Sequence, residues 1–386
     1  MSARAAALAP GLAGWAVMFT GLGLARFAFT PLLPAMIEAG WFTPGGGAAQ
    51  GAANLAGYLL GAALAFPLAR RMPVTPLLRG GMALAAASLA ACMLPPDRLV
   101  AGHLLFGIAR LLSGAAGGVL VVLGPPAVLA AVVAEQRGRI GGMVFAGVGF
   151  AIAGAGTVLP WLIAIGLPVA WGSLAAAALL LTLLSWPLYP PTPALAARTE
   201  AASPDLARLI AGYACNALGV VPHMLLLSDF VARGLGAGVT AGAFAFAVYG
   251  VGAICGPLAG GAVADRLGFR RTLRGAVMIQ AVAILLPALF PDLAVTVVSG
   301  IVVGASTPGV PPLVLGRAVE LAGPQRARRA WAAATIAYAA CQGAAAWGIA
   351  AAFAATGLYA PLFIAGSLGA ALSALIMDRA RPSPRR

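Results

Sequence analysis

Two arginines, Arg26 and Arg110, stand deep inside long apolar stretches of the sequence. If these stretches are helical, Arg26 lies roughly 22 Å from Gly11 and Arg110 roughly 18 Å from Arg98, far from the polar ends. A charge so placed is costly unless it faces a partner or water. Two interpretations stay open. The arginines bind an anionic group of a solute, or they bond structurally to backbone carbonyls or to a neighbouring aspartate.

His223 is the best candidate for carrying a proton. It is one of two histidines and stands about 15 residues after Arg208, near the middle of an apolar stretch. The acidic residues nearest to the apolar stretches all fall near their outer ends, at Glu38, Asp97, Asp229 and Asp292. The alternative for His223 is a neutral ring whose hydrogen bond is satisfied by a helix carbonyl.

Other polar and aromatic side chains in apolar stretches are candidates for solute binding, namely Tyr58, Asn216, Tyr249, Tyr338 and Gln342. Trp331 and Trp347 are further candidates, with Tyr249, Tyr338 and Gln342, for the second half's side of a cavity, and Tyr213 lies in the same predicted span as Asn216. For any single one of them, packing is the alternative role. Asp229 and Arg233 are four residues apart and predict an ion pair on one helix face, which we interpret as structural.

The most specific charged motif reads Gly261-Ala-Val-Ala-Asp265-Arg266-Leu-Gly268-Phe-Arg270-Arg271 and separates two apolar stretches. A carboxylate beside several arginines forms charge-assisted hydrogen bonds, and a glycine permits close helix contact. We therefore predict a contact between helix ends at this motif, which we call the latch; the alternative is an ordinary positively charged loop. The corresponding turn of the first half of the chain, 68–72, has two arginines and no aspartate.

Composition predicts a membrane protein. Of the 386 residues, 61% are hydrophobic and 9% are charged, whereas soluble domains carry roughly 25% charged residues. Apolar blocks long enough to cross ~30 Å of hydrocarbon as helices recur along the chain. No Walker motif is present, which excludes an ATP-driven pump within this chain, and neither a metal nor another cofactor is expected because the four cysteines are scattered.

Charge predicts the orientation. The net charge is +14 and all 24 basic residues are arginines, which we assign to cytoplasmic loops and not to nucleic-acid binding. With both termini in the cytoplasm, nineteen arginines are inside and two, Arg98 and Arg233, are outside. We expect a multi-pass protein of the cytoplasmic (inner) membrane.

We predict an all-α protein of about twelve transmembrane helices in two similar halves. The halves are 1–189 and 208–386, joined by a cytoplasmic linker at 190–207. A weak repeat supports them, since Pro125-Pro126 and Pro311-Pro312 are each followed by an apolar run and a basic cluster. The predicted spans are 11–36, 51–69, 76–94, 99–122, 140–164, 170–189, 208–231, 239–263, 275–291, 293–317, 330–354 and 359–378.

Three motifs resemble those of the major facilitator superfamily. The run from Gly261 to Arg271 is similar to its signature between the eighth and ninth helices, and Arg110 to Gly114 resembles its fourth-helix Arg-x-x-x-Gly motif. The glycines and the proline at 147–160 loosely resemble its fifth-helix motif. Residues 21–61 resemble the YbfB/YjiJ-type branch, whose first helix carries a Gly-x-x-x-Arg-Phe…Thr-Pro-Leu-Leu-Pro pattern.

The resemblance implies the major facilitator fold and a monomer in the lipid bilayer. It also implies that the Asp and the basic residues of the latch pair across helix ends in the outward-facing state, and that spans 1, 4, 7 and 10 line a central cavity. We expect a secondary transporter and not an enzyme, moving a small organic solute, anionic because of Arg26 and Arg110, and coupled to protons. The alternatives are an efflux pump for hydrophobic compounds, a helical membrane enzyme or receptor, and a non-transporting sensor.

Overall fold

The computed structural model describes residues 3–96, 101–192 and 203–380. Within these ranges the chain is almost entirely helical and contains no β-strand. Residues 193–202 of the predicted linker, together with Asp97 and Arg98, lie outside the described residues.

The α-helices of the described residues follow one another with short connections. They are α1 Ala3–Met18, α2 Phe29–Glu38, α3 Pro44–Arg71, α4 Val74–Ala91, α5 Gly102–Ala130, α6 Arg137–Thr157, α7 Leu159–Ile165, α8 Leu167–Ser185, α9 Pro204–Asp229, α10 Gly238–Leu267, α11 Phe269–Leu289, α12 Leu293–Thr356 and α13 Ala360–Asp378. A π-helical segment, Phe19–Phe27, joins α1 to α2, and a second one, Phe230–Gly234, continues α9.

Eleven helices in the described ranges are long and apolar enough to cross a membrane. One of them, α12, has 64 residues. A helix of this length is roughly three times as long as the hydrocarbon core of a bilayer is thick, which is ~30 Å. It is broken at Gly323, where φ is 76° and ψ is 167°, directly before Pro324. Counting α12 as two crossings gives the predicted twelve spans. The all-α membrane fold is thereby confirmed.

Polar side chains mark the start of several helices. The Thr43 hydroxyl accepts a hydrogen bond from the amide of Gly46 at 3.1 Å at the start of α3. The Asp292 carboxylate accepts from the amides of Ala294 and Val295 at 2.8 and 3.1 Å at the start of α12. These contacts satisfy amides that have no partner within a helix. They explain why the chain turns into helices at these residues.

The chain forms two compact units. Unit 1 comprises Met1–Val132 and Gly147–Arg198, and unit 2 comprises Val133–Ala146 and Thr199–Arg386. The first part of α6 thus packs with unit 2 and its remainder with unit 1. The division of the sequence into halves at 1–189 and 208–386 stays a prediction.

Within unit 1, α3 and α5 approach each other through glycines. A Cβ placed on Gly57 would overlap the carbonyl oxygen of Leu111, and one on Gly61 would overlap that of Ala115. Two glycines four residues apart create a flat helix face that lets backbones come close. This pairing brings the polar groups of α3 and α5 within hydrogen-bonding reach of each other.

Unit 2 repeats this arrangement between α10 and α12. A Cβ on Gly252 would overlap the carbonyl oxygen of Ile301, and one on Gly256 would overlap that of Ala305. Each unit therefore contains a helix pair that packs through a Gly-x-x-x-Gly face. This internal similarity adds to the proline repeat seen in the sequence.

Candidate functional site

The first feature of the candidate site is the π-helical segment Phe19–Phe27 in unit 1. At its end the amide of Ala28 donates to the carbonyl of Gly23 at 3.1 Å, one residue further back than in an α-helix. Such wide turns are rare and occur frequently at functional sites. Arg26 lies in this segment.

The carbonyl oxygen of Ala25, within the π-helical segment, accepts hydrogen bonds from two other helices. The Nη1 atom of Arg110 on α5 donates to it at 3.0 Å, and the Nδ2 atom of Asn54 on α3 donates at 3.1 Å. Asn54 Nδ2 also lies 3.0 Å from the carbonyl oxygen of Arg110 and 2.9 Å from the hydroxyl of Ser113. These contacts fix the turn that precedes Arg26.

Arg110 is enclosed by aromatic rings. Its side chain is only 1% exposed, and the guanidinium carbon lies 4.4 Å from the ring centre of Phe29 and 5.8 Å from that of Trp171. The ring faces attract a cation and offset part of the cost of burying it. This geometry is that of the structural alternative for Arg110, a bond to a backbone carbonyl.

Arg26 is less buried than Arg110. It is half-buried, and its guanidinium carbon lies 5.4 Å from the ring centre of Tyr58 on α3 and 5.8 Å from that of Phe27. Tyr58 is 5% exposed. Of the two predicted solute-binding arginines, Arg26 is therefore the more exposed residue.

His223 lies in α9 of unit 2 and is fully buried. Its Nε2 atom is 2.6 Å from the hydroxyl of Ser299, and that hydroxyl donates to the carbonyl of Ala283 at 2.5 Å. Since the hydroxyl proton is used in this way, Nε2 carries the proton that His223 donates to Ser299. The Nδ1 atom has no hydrogen-bond partner within the described residues. The ring packs edge-on against Phe363 at 5.1 Å.

Two further predicted site residues of unit 2 bond to partners on neighbouring helices. The side-chain amide of Asn216 donates to the Oε1 atom of Gln280 at 2.7 Å. The hydroxyl of Tyr249 lies 2.7 Å from that of Thr307, which itself donates to the carbonyl of Val303 at 2.8 Å. Asn216 and Tyr249 are 1% and 3% exposed, so these bonds order the helix contacts in which they lie.

Aromatic rings form a row in unit 2, and three of its members, Tyr213, Trp331 and Tyr338, are among the residues considered from the sequence. Tyr213 stacks on Tyr338 at 4.5 Å and on Trp331 at 6.0 Å, and Trp331 meets Phe145 edge-on at 5.8 Å. The predicted residue Gln342, four positions after Tyr338, is 4% exposed and its Nε2 atom lies 3.7 Å from the sulfur of Met224. In contrast, Trp347 is 78% exposed.

The predicted latch surrounds Gly268, which links α10 to α11 with a φ of 81°. The Asp265 carboxylate makes no ion pair with the adjacent arginines among the contacts of the described residues. Instead, Asp265 accepts from the backbone amides of Gly138 at 2.7 Å and Arg139 at 2.8 Å, in the first turn of α6. A carboxylate at this end of a helix satisfies free amides and complements the helix dipole.

Glycines allow this contact. A Cβ on Gly138 would overlap both the carbonyl oxygen of Gly261 and the Asp265 carboxylate, and a Cβ on Gly261 would overlap the carbonyl oxygen of Gly138. The close approach predicted for Gly261 is therefore to α6. Any side chain at either position would move Asp265 away from the amides that it caps.

The arginines of the motif have separate roles. Arg270 donates to the carboxylate of Asp378 at the end of α13 at 3.2 Å, and Arg274 lies 3.4 Å from the same carboxylate. The side chains of Arg266 and Arg271 are exposed. The motif thus makes two contacts, one through Asp265 to α6 and one through Arg270 to α13.

At the C-terminal end of α9, Arg233 forms an ion pair with Asp229, as the spacing of the two residues predicts. The hydroxyl of Tyr359, just before α13, donates to the same carboxylate at 2.6 Å. The ring of Tyr359 also lies 5.1 Å from that of Phe230. The cluster ties the second π-helical segment to the start of α13, which is consistent with a structural role.

Sequence reasoning missed several partners of the site. Asn54 and Gln280 are polar residues within apolar stretches, and the criterion that found Asn216 would have identified them. Ser299 and Thr307 gave no such signal, because a hydroxyl in a membrane helix commonly bonds to its own helix. Phe29 and Trp171 are ordinary apolar residues in the sequence, and only their position around Arg110 gives them a role.

The chain was compared with known proteins. A family model described as uncharacterised MFS-type transporter YbfB matches residues 18–378. No curated protein matches the chain significantly. Solved structures resemble it closely in fold at low sequence identity, so they support the fold alone.

Three solved structures illustrate this similarity. The proton:xylose symporter XylE has a TM-score of 0.77 at 14% identity, covering 97% of this chain and 95% of that one. The human organic anion transporter MFSD10 has a TM-score of 0.76 at 16% identity, covering 98% and 100%. The Escherichia coli fucose:proton symporter FucP has a TM-score of 0.74 at 14% identity, covering 96% and 98%.

The sequence motifs, the helical membrane fold and the family model agree with one another. The family model covers nearly the whole chain, and the matched residues include Arg26, Arg110, His223 and the predicted latch. The chain is a multi-pass membrane protein that belongs to the YbfB-type family of transporters in the major facilitator superfamily.

Proposed function

We propose that this protein is a secondary transporter that moves a small organic solute with an anionic group across the cytoplasmic membrane by alternating access, coupled to protons. Membership of a transporter family supports transport and not enzymatic catalysis. The observation that carries the anionic specificity is the position of Arg26, a half-buried residue whose guanidinium lies beside Tyr58 within a membrane-spanning segment.

Arg26 has the chemistry of an anion-binding residue. A guanidinium presents several N–H groups in one plane and recognises a carboxylate with two parallel hydrogen bonds. The ring of Tyr58 supports one face of it at 5.4 Å. Away from bulk water, the attraction between this cation and a carboxylate is screened less than in water, which offsets part of the cost of desolvating the carboxylate.

Arg110 and Asn54 contribute in a different way. Both donate to the carbonyl of Ala25, the residue before Arg26, and both side chains are at most 2% exposed. We assign to them the positioning of Arg26, and to Arg26 the contact with the solute. The other predicted solute contacts, Tyr58, Asn216, Tyr249, Tyr338 and Gln342, remain proposals.

His223 is the proposed proton-coupling residue. It is fully buried within α9, with Nε2 bonded to Ser299 and Nδ1 without a partner in the described residues. A proton added at Nδ1 would create a second donor that also needs an acceptor. Proton binding therefore requires a rearrangement that brings water or an acceptor to Nδ1, and such a requirement couples protonation to conformation.

The named relatives agree with these proposals. MFSD10 is an organic anion transporter, and XylE and FucP are proton symporters. Because their sequence identity to this chain is low, the similarity supports the fold alone, and the substrate and the proton coupling remain proposals. Arginine bias supports cytoplasmic termini and an inner-membrane location, and we propose a monomer.

The latch proposal follows from Asp265. Its carboxylate holds the first turn of α6 against the α10–α11 turn, and Gly261, Arg266, Gly268, Arg270 and Arg271 complete the motif. We propose that this contact forms in one conformation of the transport cycle and breaks in another. The contact of α6 with unit 2, and of the remainder of this helix with unit 1, supports such a role.

Flux in proteoliposomes tests the function. Purified protein is reconstituted and assayed against a panel of small carboxylates and hydrophobic amines, with and without a proton gradient. Arg26→Ala is compared with Arg71→Ala, which removes the same charge from the exposed end of α3. We expect Arg26→Ala to reduce flux of the anion about tenfold or more, because a hydrogen bond to a charged group contributes roughly 1.5–3 kcal/mol.

Each outcome of this assay decides between the functions that the sequence left open. Preferential flux of hydrophobic amines would identify an efflux pump for such compounds, and unchanged anion flux in Arg26→Ala would refute the anionic specificity. A folded protein that binds a solute without moving it would be a sensor. Exchange that persists in His223→Ala while gradient-driven accumulation is lost would support the proton-coupling role.

A further inference from the structure

A basic cavity lies at the end of unit 2, where α10, α11 and α13 meet the first part of α12. Its volume is about 310 Å³. Its charged lining consists of Arg270, Arg271, Arg274, Glu320 and Asp378. None of the proposed solute-binding residues lines it, although Gly268, Arg270 and Arg271 also belong to the latch motif.

Both carboxylates of the cavity are already used. Asp378 accepts from Arg270 at 3.2 Å and lies 3.4 Å from Arg274. Glu320 accepts from Arg317 at 2.8 Å and from the amide of Phe269 at 3.1 Å. With three lining arginines against two carboxylates, the cavity keeps an excess of positive charge, and the buried Arg317 behind Glu320 adds to it.

Donors around the cavity remain without acceptors. The Nε atoms of Arg270 and Arg317 are buried and have no partner within the described residues. Arg271 is exposed and forms no ion pair in the described part of the chain. Arginine N–H groups clustered in this way match the oxygens of a phosphate group.

An apolar surface adjoins the cavity. Leu267 lines it and is 56% exposed, and Val263, one turn earlier on α10, is 41% exposed. Both belong to a membrane-spanning helix. A basic pocket at the end of such helices, with an apolar helix face beside it, matches a phospholipid. The charged headgroup can occupy the pocket while the apolar acyl chain lies along the helix face.

We propose that this cavity binds the phosphate group of an anionic phospholipid. Arg271 and Arg274 contact the phosphate, and Leu267 and Val263 contact the first part of an acyl chain. The orientation predicted from arginine bias places this site in the cytoplasmic leaflet. The proposal is independent of which solute the protein transports.

Lipid titration followed by native mass spectrometry tests the site. Detergent-purified full-length protein is titrated with phosphatidylglycerol, and phosphatidylcholine with the same acyl chains serves as the headgroup control. Arg271→Gln and Arg274→Gln are compared with Arg71→Gln, which removes one exposed arginine from the end of α3, remote in sequence from the cavity. We expect each cavity variant to weaken phosphatidylglycerol binding about fivefold, and Arg71→Gln to bind as the wild type does.

Melting temperatures and competition with inorganic phosphate test the same site independently. Phosphatidylglycerol should raise the melting temperature of the wild type and of Arg71→Gln, and should raise that of Arg271→Gln less, because a ligand stabilises the state that binds it. Equal weakening in all three variants would reduce the effect to general surface charge and overturn the proposal. Displacement of the lipid by an excess of inorganic phosphate, with no contribution from acyl chains, would assign the cavity to free phosphate instead.

Discussion

The side chain of Arg110 donates a hydrogen bond to the carbonyl oxygen of Ala25 at 3.0 Å. This contact joins the fourth membrane span to the π-helical turn of the first. It places a buried cation next to the residue that precedes Arg26, and it leaves Arg26 as the more accessible of the two charges. In the proposed function, Arg26 binds the anion and Arg110 supports the turn that carries Arg26.

Asn54→Ala should weaken solute binding without changing any charge. The variant removes the second donor to Ala25, at 3.1 Å, so the turn that carries Arg26 loses part of its support. We expect a several-fold increase in the KM of the anionic solute and a loss of stability of about 0.6 kcal/mol, the average for such bonds within membranes. Proteoliposome uptake and thermal unfolding measure the two effects.

The control for Asn54→Ala is Thr157→Ala, whose hydroxyl bonds to Ala153 of its own helix. It should leave KM unchanged. A lowered stability with an unaltered KM in Asn54→Ala would show that Asn54 has no influence on Arg26.

Asp265→Ala should loosen the first turn of α6. The carboxylate caps the amides of Gly138 and Arg139, and loss of a helix cap costs about 0.5–2 kcal/mol. Hydrogen exchange of these amides should accelerate correspondingly. Glu135→Ala is the matched control, because Glu135 is an exposed carboxylate directly before the same helix.

If Glu135→Ala accelerates exchange as much as Asp265→Ala does, the effect is one of net charge near the helix end. The latch would then have no specific basis.

Gly61→Ala should destabilise unit 1. A Cβ at this position overlaps the carbonyl oxygen of Ala115, so α3 and α5 must separate. We expect a loss of about 1–3 kcal/mol, the usual cost of overpacking. Gly80→Ala is the control, since no atom lies within 4 Å of a Cβ at Gly80.

The Gly80→Ala variant should be neutral or more stable by about 0.5–1 kcal/mol, because alanine favours helices. Thermal unfolding in detergent compares the two. Equal stability of both variants would contradict the proposed close packing of α3 and α5.

Ser299→Ala should destabilise the surroundings of His223. The Nε2–H group would lose its acceptor at 2.6 Å while remaining buried, at a cost of about 1–3 kcal/mol. Ser306→Ala on the same helix provides the comparison, because that hydroxyl bonds to Val302 and Val303 of α12 itself. Chemical unfolding should separate the variants, and indistinguishable curves would argue against the His223–Ser299 bond.

Much of the fold was predictable from the sequence. Hydropathy and arginine bias are local properties of a chain, and they predicted twelve spans because each span must satisfy its own backbone within the membrane. Even the continuous helices through Pro125 and Pro126 in α5 and through Pro311 and Pro312 in α12 agree with the prediction. The π-helical turn around Arg26 was not predicted, since no residue type specifies it.

The sequence by itself determined that Arg26, Arg110 and His223 are costly residues in apolar helices, and that Asp265 belongs to a charged motif that joins two spans. Tertiary structure decided what each of them touches. Arg110 meets a carbonyl 85 residues away, His223 a hydroxyl 76 residues away, and Asp265 an amide 127 residues away. Periodicity describes which face of a helix is apolar, but the partner across that face depends on how the helices pack, and packing is a property of the whole chain.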